Sequence, residues 1–144
     1  MSVHLRSATL RDCSAIYEMV RELENKTFNK SDFEKIYAAN LRDNSIHYVV
    51  AELDNRVVGF VSLHIQKLLH HNGSSAEIQE LFVNNGLRGG GIGKQLMDRA
   101  RHIANDRKCK VFEVACNIKR KNSRRFYEKE GLKRTHYKFT ENLG

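Results

Sequence analysis

Glu77-Ile78-Gln79-Glu80-Leu81-Phe82-Val83-Asn84-Asn85-Gly86-Leu87-Arg88-Gly89-Gly90-Gly91-Ile92-Gly93-Lys94 is the stretch around which the rest of this chain is organised. Its first half reads as a strand, since Ile78, Leu81, Phe82 and Val83 suit a pleated surface and Asn84-Asn85-Gly86 then supplies turn chemistry. The second half opens a helix: beyond Gly93, apolar residues recur at Leu96, Met97, Ala100 and Ile103, in register with Ile92. Glycines between the two let a ligand approach the backbone and leave the first helical N–H groups facing outward. Together with Arg88, Lys94 and the positive end of the helix dipole, they form a site suited to a phosphate or pyrophosphate. The expected contacts run through Arg88, Gly89, Gly90, Gly91, Ile92, Gly93 and Lys94.

Two better-known phosphate loops fit poorly. A nucleoside-triphosphate loop needs glycine at position 88 and Ser or Thr at position 95, where this chain has Arg88 and Gln95. A dinucleotide fingerprint belongs to the first strand–helix unit and needs another glycine order.

Arg88-x-x-Gly91-x-Gly93 after a short strand resembles the first signature of the GNAT superfamily of acyl-CoA-dependent N-acyltransferases. Phe126-Tyr127-Glu128-Lys129-Glu130-Gly131-Leu132 is similar to that family's second signature, on its last helix. Within the superfamily the chain looks most like the aminoalkylphosphonate N-acetyltransferases, through Asn40-Leu41-Arg42-Asp43, Leu63-His64-Ile65-Gln66, His70-His71, Glu77 to Leu81 and Asn117-Ile118-Lys119-Arg120. The resemblance implies an α/β fold with a mixed, mostly antiparallel sheet, splayed between strands four and five and flanked by helices. Acetyl-CoA would lie in that V, its pantetheine arm bonded to the backbone of Leu81, Phe82 and Val83. Main-chain groups on an opened strand edge are what an amide-bearing arm can pair with.

Transfer to an amine poses an acid–base problem. An alkyl amine with a pKa near 10 needs roughly 4 kcal/mol to present its neutral form at pH 7. A carboxylate can take the proton, for about 10²–10⁴ in rate. The resemblance makes Glu77 the base and leaves Glu80 as ammonium binder or alternative base; strand alternation puts the two on opposite faces. It also implies Tyr127 as the acid that protonates the leaving thiolate, with an N–H near Phe82 or Val83 for the tetrahedral intermediate. In one place the chain departs from the pattern: seven residues before the tyrosine, where the family often has a pantetheine-contacting Asn, stands Arg120. Asn122 lies near and is kept as a cofactor-side candidate.

Composition bounds the partners. The 144 residues suffice for one domain with its own core, and Cys13, Cys109 and Cys116 have no metal-ligand spacing, which suits core thiols in a reducing cytoplasm. No apolar run could cross a membrane, and Met1 to Arg11 carries no signal-peptide core. The net charge of +8 comes without a nucleic-acid-reading motif and without aromatics interleaved at Lys119-Arg120-Lys121, so anionic small molecules explain it better. The partners expected are therefore acetyl-CoA and a small amine, and the resemblance admits a homodimer. The aminoalkylphosphonate enzymes are associated with a divalent metal, which His64, His70 or His71 would have to serve. Adjacent loop histidines with nothing to orient their rings suit that poorly, and no metal site is assigned. Arg42 and His47 are further candidates for an anionic tail.

The remaining elements follow in order. Val3 to Ser7 is a strand, and Thr9 with Asp12 caps a helix from Leu10 to Glu24. Ser31-Asp32-Phe33-Glu34 reads as a capping box opening a second helix, with Phe33, Ile36, Tyr37 and Leu41 on one side. Strands at Ile46 to Leu53 and Arg56 to Ile65 are joined by an Asp54-Asn55 turn, and a polar, irregular loop runs from Lys67 to Ser75. After the glycine loop and its helix come a strand from Lys110 to Cys116, a short helix from Asn122 to Glu130 and a closing strand from Thr135 to Thr140.

Overall fold

The computed structural model describes residues 2–144. Its five strands are β1 (His4–Ser7), β2 (Ile46–Leu53), β3 (Arg56–Leu68), β4 (Gly73–Val83) and β5 (Val111–Val114). They lie side by side in chain order; the first three pairings are antiparallel and β4–β5 is parallel. Four helices cover the sheet: α1 (Cys13–Glu24), α2 (Lys30–Leu41), α3 (Ile92–Asp106) and α4 (Lys121–Lys129). None is long and apolar enough to cross a membrane.

Each sheet face buries a different helical layer. On one face Val49, Ala51, Val61, Leu63, Ala76 and Ile78 meet Ile92, Leu96, Met97, Ala100 and Ala104 of α3. Leu96 and Met97 are fully buried, which contributes about 1.5–3 kcal/mol for each side chain. The opposite face sets Val50, Phe60 and Phe82 against Ile16 and Met19 of α1 and Tyr37 of α2. Arg6 fastens the sheet edge to the entry of α1: its guanidinium donates to both Asp12 oxygens, at 2.8 and 2.9 Å, and to Glu52 at 3.0 Å.

Several expectations hold. Asp54 and Asn55 take left-handed φ values of 51° and 62°, as a tight two-residue hairpin requires. The Asp12 carboxylate accepts from the Thr9 N–H at 2.7 Å, although the first turn is a 3₁₀ turn and α1 proper starts at Cys13. Gly131, at φ 97°, follows the end of α4.

Others are corrected. The second helix is capped by Asn29, whose side chain accepts from the Asp32 N–H at 2.9 Å, so Ser31 lies inside it. Ile36 is 62% exposed, because the helix turns Tyr37 to the core instead. Lys67 to Ser75 is mostly strand: β3 and β4 extend to Leu68 and from Gly73, closed by a 3₁₀ turn at Leu69–His71. Polar composition there reflects exposure rather than irregularity. β5 is shorter than its alternating pattern, covering Val111–Val114 only, because β4 leaves it after Ile78. Thr135 to Thr140 forms no strand, and Tyr137 and Phe139 are over 90% exposed. Strand propensity without a paired edge does not make a strand.

Candidate active site

The β4–β5 pairing ends at Ile78 and Val114, and beyond it the two strands lead to different elements. β4 runs on to the glycine loop and α3, while β5 leads through Cys116 to α4. This is the V expected between the fourth and fifth strands. α4 crosses back toward the β4 side, with the Phe126 ring over Gly93 and near Val83. Tyr127 follows it, its ring 5.5 Å from that of Phe126.

Backbone parity decides which groups face the V. Asn84 N–H donates to Val58 at 2.8 Å, so Phe82, two residues earlier and opposite Phe60, turns its N–H to β3 as well. Leu81 and Val83 point the other way, into the cleft. The Phe82 N–H is thus unavailable for a tetrahedral intermediate, while its side chain packs beneath α1. The Val83 carbonyl accepts from Arg88 Nε at 2.9 Å, and Arg88 also lies over the Phe82 ring at 5.2 Å. Arg88 therefore ties the loop down to β4.

The loop itself is built from donors. Gly89 and Gly91 adopt φ values of 87° and 89°, which an L side chain resists. The first helical bond of α3 is Gln95 N–H to Gly91, at 3.0 Å. The N–H groups of Ile92, Gly93 and Lys94 thus have no partner within the helix. Lys94 Nζ is engaged by Asp98 at 3.2 Å and Glu130 at 3.5 Å, so the main chain is the principal anion donor here. A diphosphate needs several convergent N–H donors, and this loop provides them. Beside the C-terminal end of β4, a cavity of about 610 Å³ lies between Phe82 and Asn84 and the last turns of α1. Asn122 is exposed in the first turn of α4, and its side chain has no hydrogen-bond partner among the described residues.

Glu77 and Glu80 share one face, against the expectation from simple alternation. Ser62 pairs with Glu80 and Leu63 with Ile78, leaving Gln79 as an extra residue in a β-bulge. That shift turns both Ile78 and Leu81 toward the α3 face, so Glu77 and Glu80 point together to the opposite one. There Gln79 Nε2 donates to Glu77 at 3.0 Å, and the buried Ser62 hydroxyl donates to Glu80. His64 stands across from Glu77. Glu113 also lies beside Glu77 and accepts from Ser75 at 3.2 Å. Tyr48 borders the group; its hydroxyl accepts from Asn40 at 2.7 Å, and burial, aided by Glu80, raises its pKa.

Sequence reasoning missed Ser62, Tyr48 and Asn40. A polar Ser62 inside the apolar run from Val57 to Leu63 was the available signal, since a buried hydroxyl needs a partner. The other candidates scatter. His47 packs against Arg107 Nη1 at 3.0 Å, and burial with that charge pushes its pKa down, so it stays neutral and unsuited to an anion. Arg42 is exposed, as is His70, whose ring is 4.2 Å from that of His71 on the β3–β4 turn. Among the described residues no three His, Cys, Asp or Glu side chains are arranged to hold a metal. Cys13, Cys109 and Cys116 are free and half-buried.

Burial pushes the Tyr127 hydroxyl up to about 12; Cys116 adds to the rise and Arg120 opposes it. That hydroxyl has no hydrogen-bond partner among the described residues, which leaves it free to donate to a ligand.

The profile of the acetyltransferase (GNAT) family matches residues 13–132. The chain is 40% identical to the aminoalkylphosphonate N-acetyltransferase of Salmonella typhimurium, over 96% of this chain and 90% of that one. A Bacillus halodurans protein described as a transcriptional regulator superposes with a TM-score of 0.92 at 23% identity, over 99% of this chain and 100% of that one. An aminoglycoside N-acetyltransferase in complex with CoA superposes with a TM-score of 0.88 at 13% identity, over 98% and 94%.

Proposed function

Because this chain belongs to the GNAT family of acetyltransferases, and acetyl-CoA is the acyl donor of that family, we propose that its acceptor is an aminoalkylphosphonate. Identity to the Salmonella enzyme across nearly the whole chain supports that acceptor class. The observation that supports this chemistry is the Gln79 bulge, which turns Glu77 and Glu80 to one sheet face, next to where β4 and β5 part. Glu80, held by Ser62, binds the substrate ammonium, and Glu77 takes its proton. The freed lone pair attacks the thioester carbonyl carbon, with the cleft-facing N–H of Leu81 or Val83 as donor to the oxygen. As the C–S bond breaks, Tyr127 protonates the departing thiolate. Half-buried free thiols suit a reducing compartment such as the cytoplasm.

A second reading has one observation in its favour. Glu77, Glu80 and Glu113 crowd one face with His64 as the adjacent basic group, and such a lining suits a dication such as a polyamine. Thiol release from acetyl-CoA with 2-aminoethylphosphonate against spermidine separates the two. A kcat/KM at least tenfold higher for the phosphonate is expected; higher turnover of spermidine rejects it. Glu77→Gln should cost about 10²–10⁴ in kcat on the preferred amine.

A further inference from the structure

Residues 115–144 carry Tyr127, whereas α1 and α2 pack on β4. Among the described residues a single side chain links these two parts by hydrogen bonds. Arg120, immediately before α4, donates from Nη2 to the Leu23 carbonyl at 2.7 Å and to Glu24 Oε2 at 3.2 Å. Leu23 lies in the last turn of α1, where carbonyls lack helical partners and the dipole is negative. A guanidinium suits that place. The Arg120–Glu24 pair is largely exposed and adds little to stability, so the fold does not explain it.

Geometry supplies another reason. α1 is fixed to the β4 arm through Met19 and Phe82, which lie in one apolar cluster. Arg120 stands at the foot of the helix that carries Tyr127, and its own carbonyl accepts the Arg124 N–H at 3.1 Å in the first turn of α4. A strut from Arg120 to Leu23 thus joins the arm that carries Tyr127 to the helical layer packed on β4. We propose that Arg120 is a positioning residue for acetyl transfer, tying the start of α4 to the end of α1 and so fixing where the Tyr127 hydroxyl meets the leaving thiolate. The inference rests on the reading of Tyr127 as the general acid. Arg120 also faces Tyr127 electrostatically, favouring the tyrosinate formed when the proton is given up.

Steady-state kinetics of Arg120→Asn, Arg120→Lys, Tyr127→Phe and the Arg120→Asn/Tyr127→Phe double variant test this. Asn is too short to reach Leu23. Arg120→Asn should fold normally and lose roughly tenfold in kcat, the scale of a misplaced reacting group, with both KM values within about twofold. Arg120→Lys, which keeps a charged donor of similar reach, should recover most of that loss. The double variant should be no slower than Tyr127→Phe alone, because Arg120 acts through Tyr127. Full kcat in Arg120→Asn overturns the strut and leaves the acid assignment standing. A raised KM for acetyl-CoA at unchanged kcat, or losses that multiply in the double variant, also overturns it. Tyr127→Phe at full rate removes the acid assignment, and the strut's role falls with it.

Discussion

Ser62 and Glu80 make a two-point contact across β3 and β4: the Ser62 hydroxyl donates to the Glu80 carboxylate and accepts from the Glu80 N–H at 2.9 Å. The bulge at Gln79 interrupts the ladder here, and a side-chain oxygen stands in for the missing carbonyl. Ser62→Ala should therefore leave a buried N–H unpaired and release the carboxylate. A loss of about 1–3 kcal/mol in urea unfolding is expected, with a higher KM for the amine. Ser62→Thr keeps the hydroxyl and tests whether the bond, rather than the packing, matters. An Ala variant of wild-type stability and KM would refute the contact's role.

Tyr127→Phe removes the hydroxyl proposed as the acid without emptying the space of the ring. A fall of about 10²–10⁴ in kcat with little change in KM is expected from steady-state assays. The same group leaves a mark on stability. Its pKa is raised by burial to about 12 from an ordinary 10, so the folded protein binds this proton more tightly than the unfolded chain. Stability should be unaffected by this group below pH 10 and should fall as pH rises from about 10 to 12. Denaturant midpoints should show a shallower decline in Tyr127→Phe over that window.

Asp12 gives the opposite pH dependence. Arg6, through two hydrogen bonds, holds its carboxyl below the usual carboxylate range. Its contribution is present above about pH 4 and lost as pH falls further, as the folded-state carboxylate is protonated. Asp12→Asn should cost about 1.5–3 kcal/mol at neutral pH and flatten the acid limb of the stability curve. Equal acid sensitivity in variant and wild type would show the pair to be inert.

Gly91 and Gly90 offer a matched test of the anion loop. Nothing would touch a methyl on Gly91, so Gly91→Ala is opposed only by its φ of 89°, a cost of about 1–2 kcal/mol. At Gly90 no left-handed φ is required and an added methyl meets the Leu87 carbonyl at 3.4 Å. Calorimetric titration with CoA should show several-fold weaker binding for Gly91→Ala and near wild-type binding for Gly90→Ala. Equal affinities would move the diphosphate elsewhere.

Most elements could be read from local signals. The apolar period of α3, the Asp54-Asn55 turn and the strand–glycines–helix order of residues 77–94 follow from steric and hydrogen-bonding rules that act over a few residues. So did the identity of Glu77, Glu80 and Tyr127 as candidates, because two signatures stood in order along the chain. What local rules could not supply was the face on which a carboxylate lands. One extra residue at Gln79 inverts strand parity, and the bulge arises only from how β4 meets Ser62 of β3. Likewise the C-terminal strand pattern had the right composition but no paired edge, and Asn29 displaced Ser31 as cap.

From the amino-acid sequence alone came the family resemblance, the glycine loop and the acid–base candidates, each carried by short motifs whose backbone preferences are local. The tertiary structure alone decided that Glu77 and Glu80 share one sheet face, that the Phe82 N–H is turned away from the cleft, and that Arg120 reaches Leu23. Those outcomes depend on register and on contacts between residues up to 97 positions apart, where pairing geometry rather than residue type chooses between alternatives.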